Sequence, residues 1–184
     1  PETEMEPTDE NLLLPAFRYG TSEFLKAIGA SKVVIGVSGG IDSAVNAALY
    51  RSILPAENIL LVNTPTRYNS ELTKGLAAEL AKNLGCQLLT VPIGDFIDET
   101  ADALEGLPLP DDTVHLTGFM KENMQARDRS SRILAALSAA FGGIFTCNAN
   151  KTETTVGYGT LYGDLAGAFA ATADLRKYQI YDLG

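Results

Sequence analysis

The stretch Lys32 to Ser43, KVVIGVSGGIDS, constrains this chain more than any other. Val33 to Val37 is a short, nearly unbroken apolar run rich in β-branched residues, the pattern of a strand covered on both faces. Ser38-Gly39-Gly40 cannot continue it, because two adjacent glycines let the backbone turn sharply and lie close to a ligand. Asp42 and Ser43 then open an amphipathic segment, Ala44 to Leu54, predicted to be a helix entered through a polar N-terminal turn. Strand, glycine turn and helix start aim exposed N–H groups and a positive dipole end at one point, which suits phosphate. The structural alternative is an ordinary strand–turn–helix corner in which Asp42 is only a helix-end carboxylate.

The rest of the chain repeats the alternation. Asn11 to Ile28 reads as a helix weakened at its start by Pro15 and Gly20 and ended by Gly29. Asn58 to Asn63 is a second apolar strand, followed by the polar turn Thr64-Pro65-Thr66-Arg67-Tyr68. Ser70 to Leu84 is helical, with Leu72, Leu76, Leu80 and Leu84 expected on one face and Gly85 as its stop. Gln87 to Ile93 is a third strand and Phe96 to Leu104 a short acidic helix. Residues 105–117, with Pro108, Pro110 and Asp111-Asp112, form a loop. Phe119 to Phe141 is a long helix burying Ile133, Leu134, Leu137 and Phe141, Ile144 to Cys147 is a fourth strand, and Leu175 to Leu183 is a last helix. Alternating strands and helices favour parallel, right-handed crossovers. The expected fold is therefore α/β, a doubly wound parallel sheet with helices on both faces. In such sheets ligands collect at the C-terminal strand ends.

Composition excludes several function classes. With 46% hydrophobic and 20% charged residues in a chain of 184, one domain with a substantial core is expected. The formal charge of −9 argues against non-specific nucleic-acid binding. Part of that charge sits in Glu2, Glu4, Glu6, Asp9 and Glu10, so residues 1–11 read as a solvated acidic leader or linker and 12–184 as the domain. No apolar stretch has the length of a membrane span and no leader precedes a cleavage site, so a cytoplasmic location is expected. Cys86 and Cys147 lack CxxC spacing, which argues against a disulfide framework or structural zinc. The single histidine, His115, lies in the loop, which argues against a Ser-His-Asp or Cys-His apparatus.

Three further stretches carry chemistry. ENMQARDR, residues 122–129, opens the long helix, where Asn123, Arg127 and Arg129 suit hydroxyl, carboxylate or phosphate recognition; a solvated helix start with Asp128–Arg132 pairing is the alternative. In Asn150-Lys151-Thr152-Glu153 a carboxylate one turn into a helix can sit near a metal or cap the helix end. GYGTLYGD, residues 157–164, is too rich in glycine and tyrosine for a core element and reads as a binding loop.

SGGIDS lacks the Gly-Lys-Ser/Thr ending of a Walker loop and the spacing of a dinucleotide fingerprint. It resembles the pyrophosphate loop of the ATP-pyrophosphatase families, which split ATP into AMP and pyrophosphate. Taken in order, SGGIDS, TPTRYNS, ENMQARDR, NKTE and GYGTLYGDLAG resemble the synthetase domain of NAD synthetase, and more the glutamine-dependent, fused enzymes than the shorter ammonia-dependent ones. The resemblance runs from about Leu12 to Gly184 and implies an adenine nucleotide alpha hydrolase-like, Rossmann-like fold. It implies that deamido-NAD, ATP and ammonia give NAD, AMP and pyrophosphate, with Mg²⁺ as cofactor.

Residue roles follow by resemblance. Gly36, Ser38, Gly39, Gly40, Asp42 and Ser43 match the loop that holds ATP, with Arg67, Asn148 and Lys177 as further ATP contacts. Asp42 and Glu153 match the magnesium-binding carboxylates, and with Lys177 they form the implied catalytic set. Asn123, Arg127, Glu153, Tyr158 and Asp164 are implied for deamido-NAD. A homodimer is implied, along with a glutaminase domain or subunit as a partner. Asn148 departs from the family's usual Thr or Ser, AFAATADL lacks a common Pro, and the chain ends short of the family's C-terminal region, so it reads as a truncated synthetase domain. The remaining readings are another adenylating ligase of the pyrophosphatase type and a nucleotide-binding module without catalysis.

Overall fold

The computed structural model describes residues 10–66 and 71–184, with the side chains of 10–11 and 71–74 left aside. Arg67, the side chain of Leu72 and the expected leader, apart from the backbone of its last two residues, therefore lie outside the description. Four parallel strands form one sheet: β1 (Val33–Gly36), β2 (Ile59–Asn63), β3 (Gln87–Thr90) and β4 (Ile144–Phe145), in the order β3-β2-β1-β4. Val33 stands opposite Ile59 on one side and Ile144 on the other, so β1 is central.

Alternation of side chains explains why the inner strands are apolar throughout. Val33 and Ile35 point to one face, where Leu49, Tyr50, Ala77 and Ala81 cover them; Val34 points to the other, against Ile93, Ile133 and Leu134. Each fully buried Ile or Leu contributes roughly 1.5–3 kcal/mol. On the first face lie α1 (Glu10–Ala27), α2 (Ile41–Arg51) and α3 (Glu71–Leu84). α4 (Gly94–Leu104) follows β3, and the second face is covered by the helical run from α5 (Gly118–Arg127) through Asp128–Leu134 to α6 (Ala135–Phe141). The doubly wound α/β expectation is met.

The departures have physical reasons. The leucine row of α3 reaches the core only in part: Leu80 and Leu84 pack against it beside the buried Ala77 and Ala81, while Leu76 is 41% exposed. Four-residue steps advance about 400° around a helix, so an i, i+4 row drifts away from one face. β3 stops at Thr90 because Pro92 has no N–H to offer, although Val91 N still donates to Asn63 O at 2.9 Å and Ile93 N to Pro65 O at 3.2 Å. β4 is only two residues long: Thr146 N still bonds Val34 O, but Cys147 N turns to Phe169 O at 3.0 Å. The helix expected from Ala44 begins at Ile41, and the last one, α8 (Lys177–Leu183), begins two residues later than expected. Helix α1 continues through Pro15 and Gly20.

The long helix is not uniform. Its middle seven residues, Asp128–Leu134, wind as a π-helix, a rare geometry found mostly at functional sites. The run starts at Thr117, whose Oγ1 accepts from Met120 N, and ends at Gly142 in the left-handed region. Asp128, almost fully buried, takes a two-pronged ion pair from Arg132. The preceding loop is tied down as well: the Glu105 carboxylate pairs with the His115 ring at 2.9 Å and accepts from Leu116 N at 3.0 Å.

Candidate active site

The strand order reverses direction between β1 and β4, and a cleft of about 340 Å³ opens beside their C-terminal ends. Its floor is Gly36, Val37 and Ser38 after β1, with Asn63 and Thr64 after β2 and Thr146 and Asn148 after β4. Gly39, at φ +85°, makes the turn that only glycine adopts without strain. Hydroxyls shape the loop: Ser38 Oγ accepts from Gly40 N at 3.2 Å, while Ser43 Oγ accepts from Ser38 N at 3.3 Å and donates to Gly40 O at 2.9 Å. Gly40 enters α2 with no side chain capping it.

Two side chains from distant parts of the sequence converge on Asp42. Lys177, at the start of α8, forms an ion pair with Oδ2. Asn150 Nδ2 donates to Oδ1 at 2.9 Å. Asn150 is fully buried and is also the N-cap of α7 (Lys151–Val156): its Oδ1 accepts from Glu153 N at 3.0 Å, and its own N–H donates to Glu153 Oε2 at 3.1 Å. Glu153 thus caps a helix and faces the cleft at once. One asparagine, 108 residues from Asp42 in sequence, fixes the two carboxylates relative to each other.

Both carboxylates present hard oxygen donors, and Glu153 Oε1 takes no hydrogen bond among the described residues. Those residues hold no cluster of three His, Cys, Asp or Glu groups. A divalent ion at Asp42 and Glu153 therefore fits as one that completes its shell with phosphate and water. Two buried polar atoms near the cleft, Asn148 Oδ1 and Thr146 Oγ1, also have no hydrogen-bond partner among the described residues, whereas Asn148 Nδ2 is fixed on Gly36 O at 2.7 Å. An unpaired buried acceptor is costly, and a ligand donor would relieve it.

The side chains expected to read a second substrate divide into two groups. Tyr158 and Asp164 line the cleft. Asn123 and Arg127 do not; they fasten the 157–164 segment to α5. Thr160 Oγ1 donates to Asn123 Oδ1 at 2.7 Å, Arg127 Nε donates to Leu161 O at 3.2 Å, and Ser131 Oγ donates to Tyr162 O at 2.6 Å. Gly163 permits that approach, since a Cβ there would lie 2.9 Å from Ala126 Cβ. Arg129 and Ser130 line the cleft instead. The polar turn after β2 foreshadowed Asn63 and Thr64; nothing in the spacing distinguished Arg129 from Arg127. Cys86 and Cys147 are buried free thiols, both pushed up in pKa mainly by that burial, and behave as core residues. No helix among the described residues is long and apolar enough to cross a membrane.

Comparison with known proteins points the same way. The sequence profile of NAD synthase matches residues 18–184. A glutamine-dependent NAD(+) synthetase of Synechocystis sp. is 39% identical over 175 residues, 95% of this chain and 30% of that protein. The structure of a glutamine-dependent NAD+ synthetase from Acinetobacter baumannii in complex with ADP aligns with a TM-score of 0.86 at 31% identity, over 98% of this chain and 34% of the other. That of an NH3-dependent NAD synthetase from Campylobacter jejuni aligns at 0.85 and 30% identity, over 96% and 72%. The chain thus spans about a third of the length of the glutamine-dependent relatives it matches. A profile match over most of the sequence, relatives at this identity, and a fold whose cleft sits at the Ser-Gly-Gly turn lead to one assignment: the chain belongs to the NAD synthase family.

Proposed function

We propose that this chain carries out the ATP-dependent amidation of deamido-NAD to NAD. The observation that carries the proposal is the meeting of Asp42, Glu153 and Lys177 at the open N-terminus of α2, with Asn150 joining the two carboxylates and Asp42 holding the lysine. A carboxylate is a poor acyl donor because oxide would have to leave. In the proposed reaction a carboxylate oxygen of the pyridine acid attacks the α-phosphorus of ATP, the bond to the β-phosphate breaks, and pyrophosphate departs. Ammonia then adds to the acyl carbon through its lone pair, AMP leaves, and the surplus proton passes to solvent. Every reacting group except ammonia is an anion, so the protein's task is alignment and charge neutralisation.

The proposed roles follow from position. The backbone from Gly36 to Gly40, with Ser43 shaping it, cradles the phosphates; Arg67 is retained as an ATP contact by resemblance. Lys177, held on Asp42 without nucleotide, is placed to shift to a phosphate oxygen. Asn148 Oδ1 is an acceptor for an amino or hydroxyl group of the nucleotide. Asp42 and Glu153 would hold Mg²⁺, which when bound neutralises phosphate charge. Tyr158 and Asp164 are assigned to deamido-NAD, and Asn123 and Arg127 hold the segment that carries them. Ammonia from a glutaminase domain or subunit belongs to the proposal through the glutamine-dependent relatives, and so does a cytoplasmic location.

A homodimer is proposed as well. Phe119, Met120, Leu161 and Tyr162 are exposed on adjoining segments, a surface suited to self-association. Sedimentation that finds only monomer at tens of micromolar (roughly the range in which a standard-size interface persists) would remove it. The central test measures NAD and pyrophosphate formed by the intact protein from deamido-NAD, ATP, Mg²⁺ and ammonium. Equal amounts of the two are expected. Nucleotide binding with neither product would leave a binding module, and pyrophosphate without NAD would point to another adenylating ligase.

A further inference from the structure

Among the described residues lining the cleft there is one cation, Arg129, facing the carboxylates of Asp42, Glu153 and Asp164. Its guanidinium differs from its neighbours. Arg127 holds Leu161 O, Arg132 holds Asp128, and Arg51 holds Leu84 O and Leu54 O. Arg129 has neither a hydrogen bond nor an ion pair among the described residues. The Asp164 carboxylate acts on it electrostatically without forming an ion pair, and both of its oxygens accept from Thr160 N at 3.1–3.2 Å. Burial pulls the Arg129 pKa down from the ordinary arginine value, while the Asp164 and Asp128 carboxylates pull it back. A guanidinium drawn out of water without a partner is costly unless a ligand supplies one.

The element that places it is equally unusual. Arg129, Ser130 and Leu134 all reach the cleft from the π-helical segment Asp128–Leu134. Either side of Arg129, Asp128 and Ser130 are buried. Asp128 is locked to Arg132, so the backbone that aims Arg129 is held from within.

We infer that Arg129 is the side chain that grips the reacting anion in this cleft, a carboxylate or a phosphoryl group taken by two parallel N–H donors. The inference rests on the proposed reaction only for naming the two sources, the pyridine carboxylate and the α-phosphate, which meet at the same point when the adenylate forms. A lysine cannot reproduce the fork, though it keeps the charge.

The test uses Arg129→Gln and Arg129→Lys in the intact protein. It measures kcat and KM for ATP and deamido-NAD, calorimetric binding of ADP and of deamido-NAD, and thermal melting. Arg129→Gln is expected to melt as the wild type does and to lose about 10- to 100-fold in kcat/KM, the range of one charge-assisted hydrogen-bonded contact. Arg129→Lys, or guanidinium ion added to Arg129→Gln, recovers part of that. Weaker deamido-NAD binding with unchanged ADP binding identifies the carboxylate; weaker ADP binding with a higher KM for ATP identifies the phosphate. Arg129→Gln within about threefold of wild type in both substrates and both binding constants overturns the inference, the threshold lying below a single charged contact. So does a loss that follows a lowered melting temperature and is not recovered by Lys or guanidinium. If the wild type makes no NAD, the proposed reaction fails, yet the two binding measurements still decide the role of Arg129.

Discussion

Two helices enter the cleft N-terminus first, and they are finished differently. α2 starts at Gly40 with no side chain on its first turn's N–H groups, and its nearby hydroxyls, Ser38 and Ser43, hold the shape of the preceding loop instead. α7 starts at Asn150 with a reciprocal capping box that satisfies both the helix and the Asn150 N–H. A capped end is complete and offers a fixed carboxylate; an uncapped one keeps donors and dipole for something else. The contrast supports the proposed division of labour, in which α2 receives an anion and α7 holds Glu153 beside it. α5 is intermediate, capped by Thr117 and steadied from outside by Glu105.

The largest way to break this contrast is Asn150→Ala. It removes the α7 cap and frees Asp42 and Glu153 from each other. NAD formation should fall by roughly 100-fold or more, comparable to deleting one preorganised donor, and unfolding free energy by about 1 kcal/mol. Turnover near wild type, measured with melting by calorimetry, would mean the two carboxylates do not need a common anchor. A smaller effect of opposite kind is expected from Gly40→Asp. At φ −89° the backbone accepts a side chain, and the nearest obstacle is Ser38 Oγ at 3.3 Å. Capping α2 should add a few tenths of a kcal/mol, at most about 1 kcal/mol, while a carboxylate at the proposed phosphate site should weaken ADP binding by about tenfold or more, as a like charge would. Tighter ADP binding would show that α2 is not the anion end.

The smallest concerns α5. The Glu105 pKa lies below its usual value, first because of the hydrogen bond with His115 and then that with Leu116 N. A lowered carboxylate pKa stabilises the fold fully above the unfolded value of about 4.3. The contribution disappears as pH falls through the lower folded value. An NMR titration should therefore show the Leu116 amide losing its hydrogen-bonded shift only under acidic conditions. Loss of that shift near neutrality would assign the loop's order to another group.

Much of this was legible because local chemistry dictates it. The run Val33–Val37 has no polar side to show, so it had to be covered on both faces; Ser38-Gly39-Gly40 had to turn; Asn150 followed three residues later by Glu153 is a capping signal. What was not legible needed tertiary placement. ENMQARDR offers Arg127 and Arg129 as near equals, and the sequence carries no mark of the π-helical winding that sends one to Leu161 O and the other to the cleft. Leu76 looked like core because spacing by four was read as one face. β4 ended early because Cys147 found Phe169, a partner outside the sheet.

The fastening of the 157–164 segment has an engineering consequence. Arg127 and Ser131 take hold of carbonyl oxygens of Leu161 and Tyr162, not of their side chains. The clasp therefore does not read the side chains at those two positions: Leu161 can be exchanged without disturbing it, while Tyr162, at φ +62°, accepts best the residues that tolerate a left-handed backbone, Gly, Asn or Asp. New recognition surfaces could be installed at the rim while the frame that aims the carboxylates stays as it is.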